Sequence, residues 1–528
     1  MKILRTLIKN RALAVHPFLL TLFPVLSLYA NNLGQVPFAE VYRSLWVGLA
    51  GTGVLLGLLR LLFGDWHRAA MLTSLASLLF FSYGHVYRLL EGIAGSLADV
   101  LLVVWGILFL AGFWFLARAE IRRPDSITRA LNLTGGIALL TCLYGFAAYG
   151  VQAVVLPEGG ADALAEAPPG GIAGLDIAPP PDIYYIILDG YGRSDVLQEI
   201  YGVDNAELLA YLEEQGFYIA GESHSNYAQT ALSLSSSLNL NYLDQVMELV
   251  PETNNRAPLT GLINQNGVQR FLKEQGYQTV AFSNGYAVTE MKDADLFLDG
   301  DGESLNNFEM SLLSTSLGGV ELTGQIAADY RERILWMAGE LENTASLPGP
   351  KFVFAHFILP HAPFVFNADG SPRDSLGSGD GSHYSGTTDE YVQGYREQVR
   401  FTDRLVREMI AGILANSSRE PVIIVQGDHG PGSRLDWDSL ENTCVRERFA
   451  ILNAYYFPGR QWQELYPQIS PVNSFRAVFN TYFDAGFERL PDRSYFSLWK
   501  RPYDLVDVTD QTGLACPVGA PAADPDRR

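Results

Sequence analysis

The chain has 528 residues, 48% of them hydrophobic, and a formal net charge of −21. That length holds more than one domain, and that hydrophobicity exceeds what the core of a soluble domain needs. Residues 1–155 carry 12 Lys and Arg against 6 Asp and Glu, so the remainder is strongly acidic, which excludes an electrostatic nucleic-acid binder.

Five apolar stretches, at about 12–30, 44–64, 70–90, 98–117 and 131–153, each approach the roughly 20 residues that a helix needs to cross a bilayer. They predict a transmembrane domain of five helices over 1–155. The ending "SLYAN" of the first stretch resembles a secretory cleavage site, but four further spans keep the chain anchored. Lys2, Arg5, Lys9, Arg11, Arg60, Arg68, Arg118, Arg122, Arg123 and Arg129 flank one face, and only Arg43 and Arg88 the other. The positive-inside rule then puts the N-terminus in the cytoplasm and everything after residue 155 outside it.

Residues 156–181 are dense in Pro, Gly and Ala, lack hydrophobic periodicity and read as a linker. Beyond it "DIYYIIL" (182–188), "TVAFS" (279–283), "KFVFAHF" (351–357) and "PVIIVQ" (421–426) have the apolar, β-branched character of buried strands. "NAELLAYLEEQG" and "VQRFLKEQG" between them read as helices stopped by Gly. Such alternation predicts an α/β domain with a largely parallel sheet over 182–505, followed by a Pro/Ala/Asp-rich tail over 506–528. Of three cysteines, Cys142 falls in a span. Cys444 and Cys516, both in the oxidising compartment, are expected to pair.

Two of the strands end on acids. Asp189 follows "DIYYIIL" directly, and "VIIVQGDHGPGSR" (422–434) runs from branched aliphatics into Asp428 and His429. The carboxyl end of a parallel sheet is where such folds bind ligands. If the strands are neighbours, the three side chains meet at one rim and offer two oxygens and a nitrogen to a metal. Thr230, in "SNYAQTALSLSSSLNLNYLD" (225–244), opens a helix whose free N–H groups favour an anion. A metal there would lower the hydroxyl pKa and activate it as a nucleophile. Taken alone Thr230 reads as an N-cap and Asp189 as a turn cap. The order of acid, hydroxyl and acid-imidazole along the chain is what joins them.

That pattern resembles the alkaline-phosphatase superfamily, and in it the membrane-anchored sulfatase-like branch of lipoteichoic acid synthases and phosphoethanolamine or phosphoglycerol transferases. The resemblance covers the α/β domain and the preceding spans. It implies one divalent metal (Mn, Mg, Ca or Zn) held by Asp189, Thr230, Asp428 and His429, with Thr230 transiently carrying the transferred group. It also implies that His361, in "FAHFILPHAPFVF" (354–366), meets the substrate's anionic group, while His356 reads as a histidine satisfied within its strand. Asn226 and Arg434 are further expected substrate contacts. His224 and His383 lie on polar loops, where a second metal is the less favoured reading. No cysteine stands in the Cys-x-Pro-x-Arg context that formylglycine sulfatases need. The expected function is transfer of a phospho-substituent to an envelope glycan or lipid at a bacterial-type inner membrane, with membrane lipids and a glycan- or lipid-linked substrate as partners. The alternatives are a hydrolase of envelope polymers and a non-catalytic envelope-binding module.

Overall fold

The computed structural model describes residues 12–152 apart from 35, 95–97 and 119, and residues 180–516 apart from 250–253, 301–304, 377–383 and 385. The expected linker, except for Pro180 and Pro181, lies outside these residues, as do His383 and the last part of the tail. The chain divides into two units, residues 1–153 with 305–326, and residues 154–304 with 327–528.

The first unit is a helix bundle: α1 (His16–Asn31), α2 (Tyr42–Phe63), α3 (Trp66–Ala94), α4 (Ala98–Arg118) and α5 (Pro124–Gln152). Four helical segments, Phe38–Phe63, Trp66–Tyr87, Val100–Arg118 and Pro124–Ala147, are long and apolar enough to cross a membrane. The sequence reading expected five. The described part of α1 has 16 residues, a rise of about 24 Å at 1.5 Å per residue, against a hydrocarbon core of about 30 Å. Leu61, Val103, Leu110, Phe115 and Leu140 stand exposed on the bundle, the arrangement of helices whose outer faces meet acyl chains. Polar side chains turn inward and pair between helices: His16 Nδ1 lies 2.6 Å from Ser74 Oγ, the Thr21 and Thr52 hydroxyls are 2.8 Å apart, and His67 Nδ1 is 2.7 Å from Thr128 Oγ1.

The second unit is built on a seven-stranded sheet. Its strands are β1 (Ile183–Leu188), β2 (Tyr218–Ile219), β3 (Gln278–Phe282), β4 (Leu296–Leu298), β5 (Lys351–Phe357), β6 (Val422–Gly427) and β7 (Asn453–Tyr456), in the spatial order β2–β7–β6–β1–β5–β3–β4. The five strands from β6 to β4 are parallel, and β7 is antiparallel to both of its neighbours. Strands β1, β5 and β6 are buried along their whole length, which is why they read as continuous apolar runs rather than as alternating ones. Helices α6 (Thr230–Leu238) and α9 (Thr388–Asn416) belong to this unit. Between them in sequence come α7 (Asn307–Ser314), which belongs to the first unit, and α8 (Gly318–Thr344), which begins there. Cys444 and Cys516 are joined by a disulfide.

Candidate metal and nucleophile site

Register sets the site. Leu188 is paired with Phe357 on one side and with Gly427 on the other, so the next residues, Asp189 and Asp428, leave the sheet side by side. Gly190 takes φ +73° directly after Asp189, a conformation that glycine adopts without strain. The backbone N–H of Asp189 donates to Phe357 O (3.0 Å) and that of His361 to Asp189 O (3.1 Å), which fixes the acid between β1 and the segment after β5. Asp428 is held by its Oδ1, which accepts from the N–H groups of Gly190 (3.0 Å) and His429 (2.9 Å). Asp189 Oδ1 and Asp428 Oδ2 are buried without a hydrogen-bond partner among the described residues. Such groups are costly to bury, and their convergence is what a cation site requires.

The electrostatics agree. Burial pushes the carboxyl of Asp428 above the usual range, and the charge of Asp189 pushes it further. Burial also opposes ionisation of Asp189, yet His361 and then the neighbouring imidazole of His356 bring its carboxyl below the usual range. Two buried carboxylates facing one another resist joint ionisation unless a cation lies between them. Burial, reinforced by Arg448, keeps His429 neutral well below the ordinary histidine range.

Three histidines surround the acids, and their ring nitrogens differ in role. Asp189, His356 and Asp428 each offer an atom within 4.8 Å of the others, which by distance alone makes a metal group. Hydrogen bonding argues for a different set. The amide of Asn284 is oriented by Tyr286 N, which donates to its Oδ1 (2.8 Å), so its Nδ2 donates to His356 Nδ1 (3.0 Å). With Nδ1 accepting, the neutral ring of His356 carries its proton on Nε2, 3.4 Å from Asp189 Oδ2. That nitrogen is a donor towards the acid, not a lone pair for a metal. His429 is the reverse. Its Nδ1 faces Gly430 O at 2.9 Å and must donate, which leaves the lone pair on Nε2, 3.6 Å from Asp189 Oδ1 and 3.3 Å from Asp428 Oδ2. A ligand histidine with its other nitrogen bound to a carbonyl is the usual second-layer arrangement.

Thr230 is the first residue of α6, and the N-cap is Gln229. The Thr230 hydroxyl makes no capping bond and lies 3.0 Å from His429 Nε2, while Ser233 Oγ donates to Asp428 O (2.7 Å) and ties the helix to the end of β6. Asp189, Asp428 and His429 are buried, whereas Thr230 and His361 are partly exposed, so the hydroxyl and one imidazole are the groups a substrate can reach. His361 donates Nδ1–H to Ala362 O (2.7 Å), stands edge-on to His429 with ring centroids 6.4 Å apart, and keeps Nε2 for other partners.

The other expected positions divide. Arg434 is fixed through its backbone, its N–H donating to Glu447 Oε2 (3.0 Å), with its side chain partly exposed. Asn226 is fully buried, and its amide is spent on Ser470 Oγ (3.0 Å), Arg493 O (2.8 Å) and Val472 N (2.8 Å). That occupancy makes it a loop latch rather than a substrate contact. His224 has Nε2 turned to Arg193 Nη1 (3.2 Å), and burial followed by that cation lowers its pKa to about 4, which is no surrounding for a metal ligand.

A family model described as sulfatase matches residues 181–475, just over half of the chain. The chain belongs to the sulfatase family. As a sulfatase-family member it is an enzyme of the alkaline-phosphatase superfamily, a phosphotransferase or a hydrolase. Among solved structures, the C-terminal periplasmic domain of EptC from Escherichia coli aligns at 13% identity and TM-score 0.41, covering 65% of this chain and 96% of that one. The integral membrane lipooligosaccharide phosphoethanolamine transferase A from Neisseria meningitidis aligns at 13% identity and TM-score 0.37, covering 89% and 96%. A comparison with curated protein sequences gives no match.

The candidate site is also framed by residues that sequence reasoning passed over. Arg448, fully buried, donates Nε–H to Ala228 O (2.8 Å) and Nη1–H to Gly430 O (3.0 Å), and so clamps the loop before Thr230 to the loop after His429. Glu447 accepts from Tyr201 OH, Ser433 N and Arg434 N and holds the chain beyond Gly430. The sequence signal was faint: "RERF" beside Cys444 looks like an ordinary charged helical turn.

Proposed function

We propose that this enzyme is a metal-dependent transferase that moves a phospho-substituent, of phosphoglycerol or phosphoethanolamine type, onto an envelope glycan or lipid through a covalent Thr230 intermediate. The observation that carries the reading is the pair of unpartnered buried oxygens, Asp189 Oδ1 and Asp428 Oδ2, beside a hydroxyl on a helix N-terminus. Asp189, Asp428, His429 and Thr230 would hold one divalent cation, which makes a coordinated hydroxyl acidic enough to react near neutrality and offsets negative charge on a phosphoryl group. Thr230 Oγ1, its proton released to water beforehand, forms the new bond to phosphorus as the donor's ester bond breaks, and His361 Nε2 gives its proton to the departing oxygen. The free N–H groups at the start of α6 stabilise the charge that develops on the phosphoryl oxygens. The acceptor hydroxyl then loses its proton to His361 and displaces Thr230. Arg434, whose side chain is partly exposed, is the proposed contact for the donor's anionic part.

The distribution of Lys and Arg supports a cytoplasmic N-terminus and an extracytoplasmic catalytic unit. In this reading α1 crosses together with the four longer helices, and the enzyme sits in a bacterial-type inner membrane among its lipid substrates. The reading is tested on purified full-length protein by metal analysis and product identification. The wild type should contain one divalent ion per chain and transfer a phospho-group from phospholipid to an added glycan or lipid alcohol. Asp428→Asn should lose ion and transfer together. Release of the group to water alone, with every acceptor ignored, would make the enzyme a hydrolase.

A further inference from the structure

Residues 305–326 fold with the helix bundle, although the chain on either side of them folds in the catalytic unit. Four kinds of contact seat this segment. Phe308 and Leu312 form one apolar cluster with Val25 of α1 and Val41, flanked by Leu28, Leu45 and Phe81. Arg43 of α2 donates Nε–H to Glu309 Oε1 (2.5 Å) and Nη2–H to Oε2, and the Glu309 side chain is only 7% exposed. Asn306 Nδ2 reaches Glu40 O (3.0 Å), while Asn306 and Glu309 close a capping box at the start of α7. The N–H of Leu317 donates to Phe80 O (2.7 Å), within α3.

The last contact is steric. A Cβ at Gly84 would lie 2.5 Å from Thr315 C and 2.6 Å from Ser314 O, both backbone atoms that cannot swing aside. Helix α3 therefore admits the segment because position 84 has no side chain. The Glu309 carboxylate is buried although Arg43 is partly exposed, and burying an acid is costly, which is best explained where its pairing specifies a single arrangement. Arg43, one of two basic residues on its face by sequence, has this use.

We propose that residues 305–326 are a dock that fastens the catalytic chain to the bundle, and that docking is needed to act on substrate held in a bilayer but not on substrate free in water. This role rests on the phospho-transfer reading above. Without the dock the catalytic unit is tied to the bundle by the single connection after Gln152; with it the chain passes between the units three times. Each added tether shrinks the volume the catalytic unit explores and raises its effective concentration at the surface to which it is tied.

The test uses the full-length protein in vesicles of phosphatidylethanolamine and phosphatidylglycerol, with bis(p-nitrophenyl) phosphate as the water-soluble probe and the vesicle phospholipid as the bilayer probe. The variants are Gly84→Leu, Arg43→Glu, Glu309→Arg and the double charge swap, none of them a residue of the catalytic machinery. Amides 308–319 in Gly84→Leu should exchange hydrogen at least about tenfold faster, with lipid turnover falling about tenfold and soluble-probe turnover staying within about twofold. The double swap should recover most of what either single reversal loses. Amides that stay as protected in Gly84→Leu as in the wild type overturn the dock. Freed amides with an unchanged ratio of the two turnovers overturn its role. A wild type that turns over neither probe overturns the proposed function and this role with it, while the exchange data still decide whether the dock exists.

Discussion

His356 and His429 sit in one buried site with opposite ring polarity, and neighbouring residues decide which is which. Asn284 Nδ2, 3.0 Å from His356 Nδ1, makes that ring a donor towards Asp189; Gly430 O makes His429 a lone-pair donor. Substituting His356→Ala should therefore leave one metal bound but weaken it by about 10- to 100-fold, as loss of a second-layer partner does. Calorimetric titration with Mn or Zn would show this, and complete loss of binding would make His356 a direct ligand. The strand-end acids were legible because an apolar run that stops on Asp is a local signal. The ring polarity of His356 was not, because Asn284 lies 72 residues away on a loop whose return to β5 no local pattern announces. Asn226 misled for the opposite reason: its closeness to Thr230 in sequence suggested a shared ligand, whereas its amide is consumed by segments near residues 470 and 493.

At the level of elements, helix α9 carries Asp403, whose Oδ1 accepts from Tyr191 OH at 2.6 Å. Burial raises its pKa from 3.8 to about 7. Between those values the folded chain keeps a proton that the unfolded chain has lost, so stability falls as pH rises through that window. Asp403→Asn keeps the acceptor and removes the titration. Its melting temperature in detergent should match the wild type near pH 4 and exceed it at pH 8; an equal difference at both would reject the assignment. The disulfide between Cys444 and Cys516 closes a separation of 72 residues and ties the segment at residue 516 to the N-cap of the helix Val445–Phe449. Cys516→Ser should lower thermal stability, by on the order of 4 kcal/mol in the loop-entropy account, and addition of reductant should then have no further effect on the melting curve. The central strands and the helices between them could be read from their periods. The dock could not: α7 is one short amphipathic helix among several in an acidic stretch, and only its partners, Arg43, Val25 and Gly84, distinguish it.

For the whole molecule, the uneven division of charge was the strongest signal of architecture, since it separates a basic apolar bundle from an acidic catalytic unit before any motif is considered. Orientation is tested with reporters: an alkaline-phosphatase fusion after residue 160 should be active and a cytoplasmic reporter there silent, and the reverse would invert the topology. Such results would locate the chemistry without identifying it. The central claim is that Thr230 carries the transferred group, and the most direct measurement is mass spectrometry of enzyme quenched in denaturant during turnover of phospholipid. The account predicts a phospho-adduct on the peptide containing Thr230, appearing with donor, discharged on adding acceptor, and missing from Thr230→Ala, which still binds one metal but turns over several orders of magnitude more slowly. An adduct on another residue, or a Thr230→Ala enzyme keeping more than about a tenth of wild-type turnover, a loss of about 1.4 kcal/mol, would contradict it.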